Sequence, residues 1–213
     1  MTRRLWMAVL LTLCACATSS PSGGTAASTS LAEAEGDILI EADGRFTNAS
    51  IQGNRLRGMQ LDVNLEQGTA RGTAHGEPVE LTLQGGQVVG KVGAGETRLQ
   101  LEPRSGRVSA EGMVSGQRSS FKISSNLLEG TVAACSYDLQ RSNRASAAGT
   151  VGVGGSGVGI DYKGERRCAD AGESKVTVTL PSGFDRLAPA QQATILSLVL
   201  MRPAAPGTGA PKP

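Results

Sequence analysis

Residues 61–84 read LDVNLEQGTARGTAHGEPVELTLQ, and this stretch decides the fold class. Apolar and polar residues alternate over Leu61–Glu66 and again over Val79–Gln84. A period of two is typical of β-strands that bury one face and wet the other. The interval between the two runs is rich in glycine, which supplies turn conformations. The stretch therefore predicts short strands joined by tight turns.

The same pattern recurs along most of the chain as an internal repeat of about 20 residues. Its marker is a small cluster around a glycine, at Gly53, Gly72, Gly90, Gly112, Gly130 and Gly149. Turn signals fall twice per repeat, for example at Gln84–Gly86 and Ser115–Gln117, which favours antiparallel hairpins over a parallel β-helix. One strand is expected over Gly130–Asp138.

We therefore expect an all-β domain over residues 36–181. It should be a Gly-rich antiparallel meander of about 10–12 short strands, closed or folded into a barrel or a sandwich so that one face is hidden. A membrane-spanning barrel is disfavoured, because such barrels carry girdles of aromatic residues. The whole chain has only three Phe, two Tyr and one Trp.

One helix is expected in the C-terminal segment 182–202. Pro189 suits the first helical position, and Pro203 marks the end. The second half of this helix is apolar on nearly every side. Two interpretations stay open: a helix that plugs the open end or face of the β domain, or a patch that docks a partner. Residues 203–213 are rich in Pro and Gly and predict a disordered tail.

The first residues have the composition of an export signal. Arg3 and Arg4 precede the apolar run Leu5–Leu13, and small residues follow. A cationic start followed by a short apolar core is typical of a cleaved signal. A mature transmembrane helix needs about 20 apolar residues, so this run is too short to be one.

The end of this segment resembles the bacterial lipobox. Leu13-Cys14-Ala15-Cys16 places an aliphatic residue at minus three, a small residue at minus one and the acceptor cysteine at Cys16. The resemblance implies a signal peptide over residues 1–15, a diacylglycerol thioether on Cys16 and anchorage to the cell envelope. Ala17 in place of an aspartate favours the outer membrane within this class. Residues 16–35, rich in Ser, Thr, Ala and Gly, then read as a flexible tether.

Charge argues against a nucleic-acid partner. The formal charge of +2 comes from Arg3 and Arg4, whose removal leaves 19 Lys and Arg against 19 Asp and Glu. A neutral chain lacks the basic footprint of a nucleic-acid-binding surface.

Two cysteines remain beside the lipid site, Cys135 and Cys168. In an oxidising compartment an even pair is most simply a disulfide. Two buried free thiols are the alternative. A metal site is disfavoured, since two thiols and one histidine fall short of the four ligands of a structural zinc. No cofactor is expected.

His75 is the only histidine, and it lies in an expected turn. A Ser–His–Asp site would need it beside a serine and a carboxylate. The glycine pattern of Gly152–Gly157 precedes a strand rather than a helix, so it is interpreted as a hairpin turn and not as a dinucleotide site.

The sequence thus favours an exported, lipid-anchored envelope protein with a non-enzymatic structural or binding role. Its more specific version holds an apolar or lipidic ligand inside the β domain, which would require an interior with free volume. The alternative is a hydrolase of unrecognised type that uses His75.

Overall fold

The computed structural model describes residues 31–142 and 159–201. Within them, fourteen antiparallel strands form one closed barrel in which each strand pairs with its sequence neighbours and β1 pairs with β14. The strands are β1 Gly36–Ala42, β2 Arg45–Gln52, β3 Arg55–Gly58, β4 Leu61–Glu66, β5 Thr69–Ala74, β6 Glu77–Gln84, β7 Gln87–Val92, β8 Gly95–Arg104, β9 Arg107–Val114, β10 Gln117–Ser124, β11 Leu127–Val132, β12 Cys135–Arg141, β13 Ile160–Cys168 and β14 Gly172–Leu180. Two 3₁₀ helices cover Leu31–Ala34 and Phe184–Arg186, and helix α1 covers Pro189–Leu200.

The expected all-β barrel with one C-terminal helix is confirmed, but it has more strands than the 10–12 expected from the turn pattern. The single strand expected over Gly130–Asp138 is wrong. The structure has β11 and β12 there, joined by a turn in which Ala133 has a φ of 50°. This turn contains no glycine, so the run Val132–Cys135 reads as a continuous apolar strand. The repeat glycine Gly149 and the turn predicted at Gly152–Gly157 lie outside the described residues.

Each strand buries one face and exposes the other. On β4, Leu61, Val63 and Leu65 are buried, whereas Asp62 and Glu66 are exposed. The buried positions of the strands form a single apolar core together with α1. The outer surface therefore carries most of the charged side chains, whereas Asp161 on β13 is buried.

Helix α1 runs through the inside of the barrel. We call the end where β1 begins the proximal end and the opposite end the distal end. Pro189 lies near the proximal β8–β9 turn, and Leu198 contacts His75 in the distal β5–β6 turn. Every residue from Gln192 to Leu200 is buried. The expected plug is thus present, and it occupies the interior rather than covering an end.

Glycines form a row around most of the barrel, one in every second strand from β3 to β13. A methyl group on any of them would overlap a backbone carbonyl of the preceding strand; the members are Gly58, Gly72, Gly90, Gly112, Gly130 and Gly164. For example, Gly90 has a φ of 152° and lies against the carbonyl of Glu80. Glycine within a strand marks a tight bend or a close approach of backbones. Four of the six repeat glycines are therefore strand bends rather than turn residues.

The predicted disulfide between Cys135 and Cys168 is present. The two residues are cross-strand partners at the distal end of β12 and β13, and both are buried. The bond ties together two strands whose connection at the proximal end is long, from Arg141 to Ile160. It therefore supports the pairing of the two consecutive strands that have the longest connection among the described strands.

The packed unit begins earlier than expected. The 3₁₀ helix Leu31–Ala34 falls within the expected tether 16–35, yet Leu31 and Ala34 are buried. This helix packs against β2 and the second 3₁₀ helix at the proximal end. Residues 16–30 and 203–213, also expected to be flexible, lie outside the described residues.

The glycine row yields a stability prediction. Gly90→Ala should lower the free energy of unfolding by about 3 kcal/mol, because the added methyl group would force two backbones apart. Gly53→Asn is the matched control: Gly53 has a φ of 56° with open space around its Cβ position, and asparagine tolerates that conformation. Urea unfolding of both variants checks this, and equal losses would contradict the close-approach argument.

Removal of the disulfide yields a second prediction. Replacing Cys135 and Cys168 together by alanine should cost about 3–4 kcal/mol, the loop entropy released in the unfolded chain. Denaturant titration of the double variant against the oxidised protein measures this loss. A loss under about 1 kcal/mol would show that the bond adds little to closure.

Candidate functional site

His75 holds the C-terminal end of helix α1. Its Nε2 lies 2.9 Å from the carbonyl oxygen of Leu198, and its Nδ1 lies 3.0 Å from Oε1 of Gln60. The contact with a carbonyl requires that Nε2 carry the proton. His75 lies in the β5–β6 turn with a φ of 53°. The turn histidine is therefore a cap of the helix.

Both ring nitrogens are occupied by these two contacts. Neither partner is a serine hydroxyl or a carboxylate, the groups that a catalytic triad would place there. Because Nε2 donates to the helix carbonyl, Nδ1 is the nitrogen left to accept a proton, and it faces the side-chain amide of Gln60. These contacts assign His75 a role in holding the end of the helix.

Tyr137 caps the same end of helix α1 from the opposite wall of the barrel. Its hydroxyl donates to the carbonyl oxygen of Leu200 at 2.8 Å in a buried position, and the Met201 amide donates to the carbonyl of Ser197 at 3.1 Å. The last four carbonyls of a helix have no partner within the helix. Here the barrel wall supplies partners for Leu198 and Leu200. The sequence carries no signal for these contacts, because they join residues far apart in the chain.

A cavity of about 270 Å³ lies at the proximal end, between the barrel rim and the start of α1. Its walls are mostly apolar, with Arg104 and Arg107 at the rim. Tyr162 lines it and donates to the carbonyl of Ser124 at 2.9 Å. Burial raises the pKa of Tyr162, an effect that nearby Arg141 partly offsets. Pockets for drug-sized ligands span about 300–1,000 Å³, so this cavity is too small for a whole lipid.

A second depression, of about 540 Å³, lies near the distal ends of β1, β13 and β14. It is open to solvent, and its charged lining residues are Glu41, Asp43, Lys163, Glu165 and Lys175. Neither sign of charge predominates. A mixed, shallow surface of this kind gives little basis for selecting an ion or a small molecule.

The structure brings together one pair of the predicted site residues, Cys135 and Cys168. Cys16, the predicted lipid site, lies outside the described residues. Among residues 31–142 and 159–201, no three side chains of His, Cys, Asp or Glu are grouped so that they could hold a metal ion. In the same residues, no helix has the length and apolar character needed to cross a membrane.

Comparison of the chain with protein-family models, with curated proteins and with solved structures gave no match.

The cap of α1 can be tested by mutation. His75→Ala should cost about 1 kcal/mol, and Tyr137→Phe about 1–3 kcal/mol because it leaves a buried carbonyl without a donor. Gln87→Ala serves as control, since its side chain bonds only to the exposed Gln100. Urea unfolding gives the losses. If Tyr137→Phe were as stable as the control, the helix end would not depend on the barrel wall.

Proposed function

We propose that the chain is an exported lipoprotein, anchored through Cys16, that acts in the cell envelope by binding rather than by catalysis. The observation that carries the exported part is the Cys135–Cys168 disulfide. Disulfides persist in oxidising compartments and are rare in the cytosol. The predicted export signal and the lipobox resemblance at Leu13–Cys16 agree with a location in an oxidising compartment.

The anchor and the barrel have a consistent geometry. Leu31, the first described residue, packs at the proximal end. The 15 residues from Cys16 to Leu31 span at most about 50 Å. On this proposal we expect the proximal end, where the anchored segment joins the barrel, to be the end nearer to the membrane.

Binding at the outer surface is favoured over an enclosed apolar ligand. In the described residues, α1 occupies the barrel interior, and its side chains are part of the core. The proximal cavity accommodates a fragment of a lipid at most. Catalysis through His75 finds no support in its hydrogen bonds. The exposed face of the barrel is the surface that remains for a partner.

Metabolic labelling with a fatty-acid analogue tests the anchor. Cys16→Ser should abolish labelling and move the protein from the membrane to the soluble fraction, because no other residue of the lipobox is a suitable acceptor. Cys14→Ser is the matched control and should leave labelling intact. Labelling that survives in Cys16→Ser, or is lost in Cys14→Ser alone, would contradict the assignment.

A further inference from the structure

Strand β2 extends beyond its neighbour β3 at the distal end of the barrel. β1 pairs along β2 from Arg45 to Ile51, whereas β3 pairs only with Ala49–Gln52. The segment Arg45–Asn48 consequently has a strand partner on one side only. Its other side is a short open edge, about 13 Å long at 3.3 Å per residue.

The direction of the backbone groups on this edge follows from Gly58. A Cβ atom on Gly58 would meet the carbonyl oxygen of Asn48, so that carbonyl points towards β3. Backbone groups alternate sides along a strand. The N–H and C=O groups of Phe46, two residues earlier, therefore point to the same side, beyond the end of β3. No described residue is hydrogen-bonded to them there.

On two other strands, a comparable step on the distal rim, where one strand extends beyond its neighbour, is closed. On β8, the Ser115 amide donates to Thr97 Oγ1 at 3.0 Å. On β10, the Ala133 amide donates to Ser119 Oγ at 2.9 Å. Gly172–Lys175 of β14 likewise extends beyond β1. The step on β2 differs from those on β8 and β10 because it has no such closure within the described residues.

Two large apolar side chains flank this edge. Phe46 is 63% exposed, and Met59 in the β3–β4 turn is 89% exposed. Natural edge strands are usually protected by charges, bulges or proline, because an open apolar edge pairs with other chains. An edge that combines free backbone groups with apolar side chains has the features of a site for strand addition.

We propose that this edge binds an extended, acidic segment of another envelope protein, which adds one strand beside Arg45–Asn48. Arg55 and Arg57 share a single carboxylate, that of Asp62. Arg45 has no ion-pair partner among the described residues. The β3 side of the edge, where the incoming strand would lie, therefore has a surplus of positive charge that complements acidic side chains in that strand. The carboxylates of Glu41 and Asp43 lie on the opposite, β1 side. The inference rests on the binding role proposed above and names the partner class.

A second copy of the chain fits this edge less well. Pairing two copies would bring their arginine surpluses together. A short acidic peptide that inserts its backbone into the step avoids this repulsion.

The test uses the purified full chain and a displayed library of random linear peptides. We expect selection to enrich acidic peptides with alternating apolar residues and without central proline. The tightest-binding peptide is then synthesised. Its Kd for Phe46→Pro should be at least about tenfold weaker than its Kd for the wild type, because proline removes the backbone N–H that faces the edge. Phe46→Val, which keeps the donor and an apolar side chain, should change the Kd by less than about threefold.

Amide hydrogen exchange on the wild-type protein provides a readout that does not depend on the folding of a variant. The Phe46 amide should exchange rapidly in the free protein and become protected when the peptide is added. Failure to enrich acidic peptides, an affinity that Phe46→Pro leaves unchanged, or a Phe46 amide already protected in the free protein would overturn the proposal. So would a Phe46-dependent dimer in sedimentation experiments. None of these results bears on fatty-acid labelling at Cys16.

Discussion

The close approach of backbones at the glycine row is the constraint on which the rest of the barrel depends. At each of these positions the strand lies so near the preceding carbonyl that no Cβ atom fits. Because the row recurs in every second strand from β3 to β13, the bend is distributed around most of the circumference. The sheet can then close on itself, with β1 paired to β14 and no long edge left open.

Closure with fourteen strands creates an interior that strand side chains alone do not fill. Barrels of about eight strands are just filled by their side chains, and those of 16–18 strands enclose water. Helix α1, which is about 10 Å in diameter, fills the part of the interior that the strand side chains leave open. The helix lies nearest β6–β9, and two of these strands carry Gly90 and Gly112. Helix and shell are thus parts of one core, joined at the distal end by His75 and Tyr137.

The local pattern of the sequence was sufficient for the fold class. Alternation in Leu61–Glu66 and the turn glycines predict strands and hairpins, and Pro189 predicts the start of the helix. The β11–β12 turn was missed because Ala133 adopts a positive φ without a glycine signal. The spacing of the glycines indicates a repeat of about 20 residues. It does not indicate the role of Gly90, because that role comes from a backbone carbonyl of the neighbouring strand. The cap that His75 forms and the open edge at Phe46 depend on residues far apart in the sequence. Local sequence patterns do not predict such contacts.

Because α1 is part of the core, the barrel interior is filled, and the distal rim carries the open strand edge at Phe46. The central claim is that helix and shell form one cooperative unit. Native-state hydrogen exchange of the α1 amides tests it most directly. The account predicts that Ile195 and Leu196 exchange only through global unfolding, with the same free energy as Val88 in β7. Exchange of the helix at a clearly lower free energy, with the strands still protected, would contradict it.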